Sequence, residues 1–338
     1  MGGFRRGAVG MALVLVVVAL AACGSSSDDE SVEQLPASPS GKAEAANFNG
    51  VHSGEIELAL EIDRYKKKPE EINMRILGNF MKAGEESIPQ IDLAIESNGD
   101  LGGRKVAFLS GPLLQADFLV ANFDGETYEP DPATFKDLKS KLVEAQAEPG
   151  GEGNALACVE AAEGFKVSDV VHHVSFEGEG ETLDGKKVET VGADLDSSAA
   201  IDELIQLTEK SPGCKAQLEV VGLPPTAELE ELEQELKGSL TAARLTLSLD
   251  KHGLARYFKI LTNIELPHSE ELEVELVMRL NRVNEVTELP GAPGSSPFPA
   301  LLKRFGLNME DFEQASGSEI YLGVLEVLSN RLFGFEKG

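Results

Sequence analysis

From residue 54 the chain alternates. In Gly54-Glu55-Ile56-Glu57-Leu58-Ala59-Leu60-Glu61-Ile62-Asp63 every even position from 56 to 62 is apolar, and the odd positions carry Glu, Ala or Asp. A period of two is that of a strand with one wet face and one buried face. The parity recurs after Lys66-Lys67-Lys68-Pro69, where Ile72, Met74, Ile76, Gly78 and Phe80 share one side, and again at Ile91, Leu93 and Ile95 before the turn residues Asn98-Gly99-Asp100. Further apolar runs lie at 104–110 and 115–123, and Asp124-Gly125 leads into Glu126-Thr127-Tyr128-Glu129 with the turn chemistry of a hairpin. Strands this closely spaced pair antiparallel, because parallel neighbours need a crossover of a dozen or more residues.

The period then changes. Asp131-Pro132 supplies an N-cap and a first-turn proline for a helix to about residue 147, and a second helical stretch falls near 154–162. Strands return at 171–180 and 186–193 around the turn Asp184-Gly185. Ser197 or Ser198 can cap a helix to about Lys210, and Glu228 to Leu240 reads as helix after Pro224-Pro225. Leu245, Leu247 and Leu249 alternate up to the turn Lys251-His252-Gly253. Tyr257 to Leu266 forms the next strand, and Leu272, Val274, Leu276, Met278 and Leu280 alternate against Glu271, Glu273, Glu275 and Arg279. A Pro/Gly/Ser segment from Pro290 to Pro297 precedes amphipathic helices near 298–305 and 318–332.

The fold class is therefore α+β with a large antiparallel sheet of about eleven strands; side by side they would span roughly 50 Å at ~4.8 Å spacing. There is no βαβ rhythm and no fixed-period repeat of the kind that builds solenoids or propellers. Open twisted sheets that wide curl, and helices about 10 Å across cover much of the apolar face but not all of it. A curled sheet incompletely plugged by helices leaves an apolar hollow.

The first residues read as an export signal. Arg5 and Arg6 precede the unbroken apolar run Met11–Leu20, too short for a bilayer-spanning helix and suited to the apolar region of a leader. Leu20-Ala21-Ala22-Cys23-Gly24 follows, with small residues before the cysteine. Residues 24–49, rich in Ser, Asp, Glu, Ala, Gly and Pro, read as a flexible tether.

Charge narrows the classes. Of 338 residues, 30 are Lys or Arg and 58 are Asp or Glu, a formal net charge of −28. No nucleic-acid partner is expected, because phosphates need basic residues to neutralise them. With three Cys and five His, a Cys/His zinc cage is not expected. Outside the cytoplasm Cys158 and Cys214 are expected to bridge, adding roughly 4 kcal/mol in the chain-entropy model, or else stand as two separate buried thiols.

Leu20-Ala21-Ala22-Cys23-Gly24 resembles the lipobox of bacterial lipoproteins. That resemblance implies lipidation of the Cys23 thiol, cleavage before Cys23 and residence on the outer face of the cell membrane. Over residues 50–290 the layout is similar to the LolA-like superfamily, and most to its LppX/LprG-type lipoproteins. The likeness rests on the Cys23 motif, the opening strands Gly54–Asp63 and Glu71–Met81, and the segments Asn122–Glu129 and Val188–Asp196. It implies a half-barrel with helices packed on the concave face, lining a cavity for a lipid or glycolipid ligand. The implied organisation is a signal peptide at 1–22, a lipidated tether at 23–49, a lipid-binding domain at 50–296 and a helical extension at 297–338. Ile56, Leu58, Leu60, Ile62, Met74, Ile76, Phe80, Leu93, Ile95, Phe108, Phe118, Phe258 and Met278 are the candidate cavity residues. Periodicity alone reads them as ordinary core, and the resemblance favours a cavity.

No GxSxG, HExxH or P-loop is present, and no catalytic residue, metal or cofactor is expected. His172-His173 is the sole adjacent histidine pair, and strict alternation would put the two rings on opposite faces of a strand. Glu228, Glu230, Glu231, Glu233 and Glu235 read as the solvated face of a helix rather than a calcium loop. A second reading keeps the same scaffold as an envelope sensor or interaction module, resembling RseB-type regulators. There the apolar faces of 297–338 would meet a protein partner.

Overall fold

The computed structural model describes residues 35–47, 51–65, 70–81, 90–98, 109–114, 121–123, 126–146, 157, 161, 167–220, 240–266, 270–289, 296–304, 308–316 and 318–320. The strands are β1 (Ser53–Tyr65), β2 (Glu70–Met81), β3 (Gln90–Asn98), β4 (Leu109–Leu114), β5 (Ala121–Phe123), β6 (Glu126–Glu129), β7 (Val171–Glu181), β8 (Lys187–Leu195), β9 (Leu240–Leu249), β10 (Ala255–Leu266), β11 (Glu270–Asn281) and β12 (Ser296–Pro297). The helices are α1 (Pro39–Glu44), α2 (Pro132–Gln146), α3 (Ser197–Lys210), α4 (Pro212–Val220), α5 (Phe298–Arg304) and α6 (Met309–Gln314), with a 3₁₀ turn at Val167–Asp169.

Nine strands form one sheet in the order β4-β3-β2-β1-β11-β10-β9-β8-β7. Every neighbouring pair is antiparallel. All pairs but one join strands consecutive among those of the sheet; the exception is β1 with β11, which brings the first and last strands together at its middle. The sheet is open, with β4 at one end and β7 at the other. The eleven-strand sheet expected from the sequence is thus nine strands. The Asn122–Glu129 hairpin forms a separate small sheet in the order β12-β6-β5, where β12 runs parallel to β6. Sequence spacing could not show this, because β12 reaches β6 from more than 160 residues along the chain.

Other expectations shift by local chemistry. Apolar runs at 104–110 and 115–123 suggested two strands, whereas the observed strands are β4 and the short β5. β4 contains Pro112, which an edge strand tolerates because one side of its backbone needs no ladder donor. The helix after 196 is capped not by Ser197 or Ser198 but by Asp196, whose carboxylate accepts from the Ala199 N–H at 3.0 Å. Asp131 starts α2 as expected. Its carboxylate accepts from the backbone N–H groups of Ala133 and Thr134 and from the Thr134 hydroxyl, and these bonds, the hydroxyl foremost, hold its pKa below the usual carboxylate value. The expected helix at 228–240 and most of those at 154–162 and 318–332 lie outside the described residues.

The apolar positions build one core. Leu60 and Ile62 from β1, Leu272, Val274, Leu276 and Met278 from β11, Phe258, Ile260 and Ile264 from β10, and Leu245, Leu247 and Leu249 from β9 join a single buried cluster. Ala200, Ile201, Leu204 and Leu207 of α3 and Cys214 and Leu218 of α4 complete it, with Ala43 and Ala46 at α1. The helices therefore cover one face of the β8–β11 and β1 part of the sheet.

The turn between β9 and β10 fixes the entry to β1. Gly253 has φ +78°, and a Cβ there would lie 2.5 Å from the Ala45 carbonyl oxygen. Its own carbonyl accepts from the Asn47 N–H at 3.0 Å. Gly253→Ala meets both left-handed backbone and a backbone clash, so a loss of about 1–3 kcal/mol is expected in urea denaturation. A midpoint unchanged from wild type would contradict this close approach.

Candidate functional site

The β1–β2 part of the sheet carries the candidate surface. Register puts Leu58 opposite Met278 on one side and Ile76 on the other, Leu60 opposite Leu276 and Met74, and Ile62 opposite Val274 and Ile72. Ile76 in turn faces Ile95, Gly78 faces Leu93, and Phe80 faces Ile91. Cross-strand partners share a face, so one apolar surface runs in register from β9 to β3.

Coverage of that surface is uneven. Leu60 and Ile62 are each 5% exposed, Phe258 4% and Met278 3%, inside the packed cluster. Ile56, Leu58, Ile76 and Phe80 lie on the same face and are only half-buried. The fall in burial follows the helices, whose buried residues gather over β8–β11 and β1. Met74, Leu93 and Ile95 are placed on this face by register. Phe108 and Phe118 lie outside the described residues. Thr262, on the inner side of β10, is 1% exposed and its hydroxyl has no hydrogen-bond partner among the described residues.

The opposite face is ionic. Glu57 accepts from Arg75 Nε at 2.9 Å and pairs with Arg279 Nη1 at 3.0 Å, and Lys259 meets Glu275 at 2.6 Å. The Arg279 guanidinium stands 5.5 Å from the Tyr257 ring centroid. Burial, opposed by Lys259 and Arg279, raises the Tyr257 phenol above its ordinary value. The two sides of the same strands therefore differ sharply, one being wet and paired and the other apolar and unevenly covered.

Cys214 is fully buried and disulfide-bonded. Cys158, its expected partner, and Cys23 lie outside the described residues. No described helix is long and apolar enough to cross a membrane.

The histidine pair departs from the sequence expectation. His173 has φ +52° and the β7–β8 register shifts between His172 and Ser175, so alternation fails at this point. The two rings lie 4.7 Å apart, edge to face at 75°, rather than on opposite faces. Asp194 of β8 stands directly across from His172 and contacts His173 Nδ1 at 3.1 Å. No sequence signal marks this bulge, since His173 carries none of the Gly, Asn or Asp chemistry that usually announces one.

No protein-family model matches the chain, and no curated protein matches it. Among solved structures, one similar chain is a lipovitellin described for its lipid–protein interactions, with 8% identity and a TM-score of 0.27 over 74% of this chain. The match spans only 27% of that much longer protein. Another is a LolA superfamily protein from Nitrosomonas europaea, with 8% identity and a TM-score of 0.18, covering 75% of this chain and 93% of that one.

Proposed function

We propose that this chain is a protein lipid-anchored to the outer face of the cell membrane that holds the acyl part of a lipid or glycolipid against the apolar side of its sheet, without covalent chemistry. The observation that supports this most is the half-buried strip of Ile56, Leu58, Ile76 and Phe80, continuous in register with a fully packed core. An acyl chain laid on it gains about 0.8 kcal/mol per buried CH₂. Curvature of the sheet around that strip, with helices on its concave side, belongs to the same reading, as do lipidation of Cys23 and pairing of Cys214 with Cys158. A tethered carrier passes cargo only within reach of its tether or presents it to a partner.

The sensor reading draws less support. Phe298, Leu301 and Leu302 of α5 and Ile320 are buried, so these four apolar residues of the 297–338 segment are already used within the chain.

The test is lipid recovery. A form beginning at Gly24, purified without added lipid, is expected to yield bound lipid by mass spectrometry of organic extracts. Leu58→Glu and Ile76→Glu place a charge on the strip and are expected to lower recovery at least about tenfold, since an unpaired buried charge costs several kcal/mol. Their circular dichroism should stay that of wild type because both sites are half-buried. Recovery of no lipid from the parent protein, or of equal amounts from the variants, counts against the proposal.

A further inference from the structure

We propose that His172, His173 and Asp194 form a binding site for a divalent cation of the zinc class, on the edge strand β7 and its neighbour β8. A regular strand cannot present two adjacent side chains to one ion, because successive residues point to opposite faces. Here the left-handed conformation of His173 and the register shift beside it undo that alternation. The ligand atoms of all three residues lie within 4.8 Å of one another.

The distances fit a small ion. Zinc binds imidazole nitrogen at about 2.0–2.1 Å and carboxylate oxygen at about 2.0–2.2 Å, which sets donors about 3.3–3.5 Å apart around a tetrahedron. His173 Nδ1 and Asp194 Oδ2, at 3.1 Å, already stand near that separation. His172 and His173 are exposed and Asp194 is partly so, leaving room for the side-chain rotation that draws in the third donor. Three protein ligands leave a fourth position to water.

The donor set selects the ion. Two imidazoles and one carboxylate suit zinc and its first-row neighbours, whereas calcium and magnesium need a shell of oxygens. Electrostatics agree with a cation. Asp194 supplies the local negative charge, and the chain as a whole carries −28, which concentrates cations at its surface. Arg244, the neighbouring base within electrostatic reach of Asp194, is engaged by Glu177 through a direct salt bridge. An ion bound here would replace the direct His173–Asp194 hydrogen bond.

The site stands apart from the apolar strip, so its test is independent of lipid binding. Untagged full-length protein in detergent, stripped by chelator and dialysed, is titrated with zinc chloride by calorimetry, and with cobalt(II) for its visible absorption. One equivalent of tight binding is expected. His172→Ala, His173→Gly and Asp194→Asn should each weaken it at least about tenfold, because losing a ligand costs no less than the 10–100-fold lost with an outer-shell partner. Glycine at 173 adopts the positive φ freely, so that variant keeps the bulge and tests the ligand alone, with its melting curve as the check on folding. His252→Ala, in a turn remote in sequence from the cluster, is expected to change nothing. Absence of stoichiometric binding by the wild-type chain, or binding that survives His173→Gly undiminished, overturns the assignment.

Discussion

Replacing Asp184 by alanine is expected to destabilise the protein by about 3–5 kcal/mol, the usual cost of removing one partner of a buried ion pair. Asp184 sits in the β7–β8 turn with its side chain 8% exposed, and its partner Arg256, at the start of β10, is 3% exposed. One carboxylate joins three segments. It pairs with the Arg256 guanidinium, accepts from the Arg282 backbone N–H at 2.7 Å, and takes the Thr182 hydroxyl within its own turn. Arg256 Nε has no hydrogen-bond partner among the described residues, so without Asp184 the buried guanidinium loses its counter-ion. Asp184→Asn keeps acceptor capacity and should cost less.

The same group gives the protein an acid limit. Burial alone would raise the Asp184 pKa, but the bonds from Thr182 and the Arg282 N–H and the charge of Arg256 outweigh it and hold it below the usual carboxylate value. A depressed folded-state pKa contributes stability that is complete above the unfolded value near ~3.9 and is lost as pH falls through the folded one. Denaturant midpoints of wild type and Asp184→Ala should therefore converge on acidification below about pH 4. A gap between them that persists unchanged into strong acid would show that the ion pair is not its source.

How much of this was legible beforehand depended on whether local pattern and tertiary context agreed. β1 could be read from its alternation because a one-residue slip would turn Ile56, Leu58, Leu60 and Ile62 to the wet face, so register and pattern enforce each other. The turns at Asp184-Gly185 and Lys251-His252-Gly253 were legible for a similar reason, as Gly185 and Gly253 take positive φ that other residues avoid. Bulges were not legible. At Arg256 the β9–β10 register shifts between Ala255 and Tyr257, and a charged residue that alternation cannot place is driven into a buried pair. At His173 the same kind of irregularity reverses the expected separation of two rings. Both arise from how a strand registers against its neighbour, β10 on β9 and β7 on β8, which the local sequence pattern does not specify.

The apolar strip shows the complementary limit. Periodicity identified the residues of the inner face but could not divide them into packed and half-buried. Leu58 and Leu60 are two positions apart with the same side-chain type, yet Leu60 is buried and Leu58 only half so. Leu60 belongs to the buried cluster that Leu204 and Leu207 of α3 and Leu218 of α4 help to build, whereas Leu58 only packs against that cluster. Packed core and half-buried strip use one residue alphabet, and periodicity does not tell them apart.

Cys23 carries the other large expected effect. Fatty-acid label fed to the producing bacterium should enter the wild-type chain and be absent from Cys23→Ala, because the thiol is the acceptor that the resemblance assigns. The energetic consequence is close to a switch. One acyl chain supports membrane association of only about 10⁴ M⁻¹, whereas two or more hold firmly, and a chain of net charge −28 gains no overall attraction to anionic lipid when they are lost. If cleavage follows lipidation, as the lipobox resemblance implies, Cys23→Ala also keeps residues 1–22, which confounds fractionation, so the cleaner comparison places Gly24 directly behind a non-lipidated secretory leader. That form should appear in the soluble fraction, folded, with the melting curve of the detergent-solubilised parent. Membrane retention of it would mean that something in residues 24–338 binds the bilayer by itself. The half-buried strip would then be the first surface to suspect, and Leu58→Glu should release it.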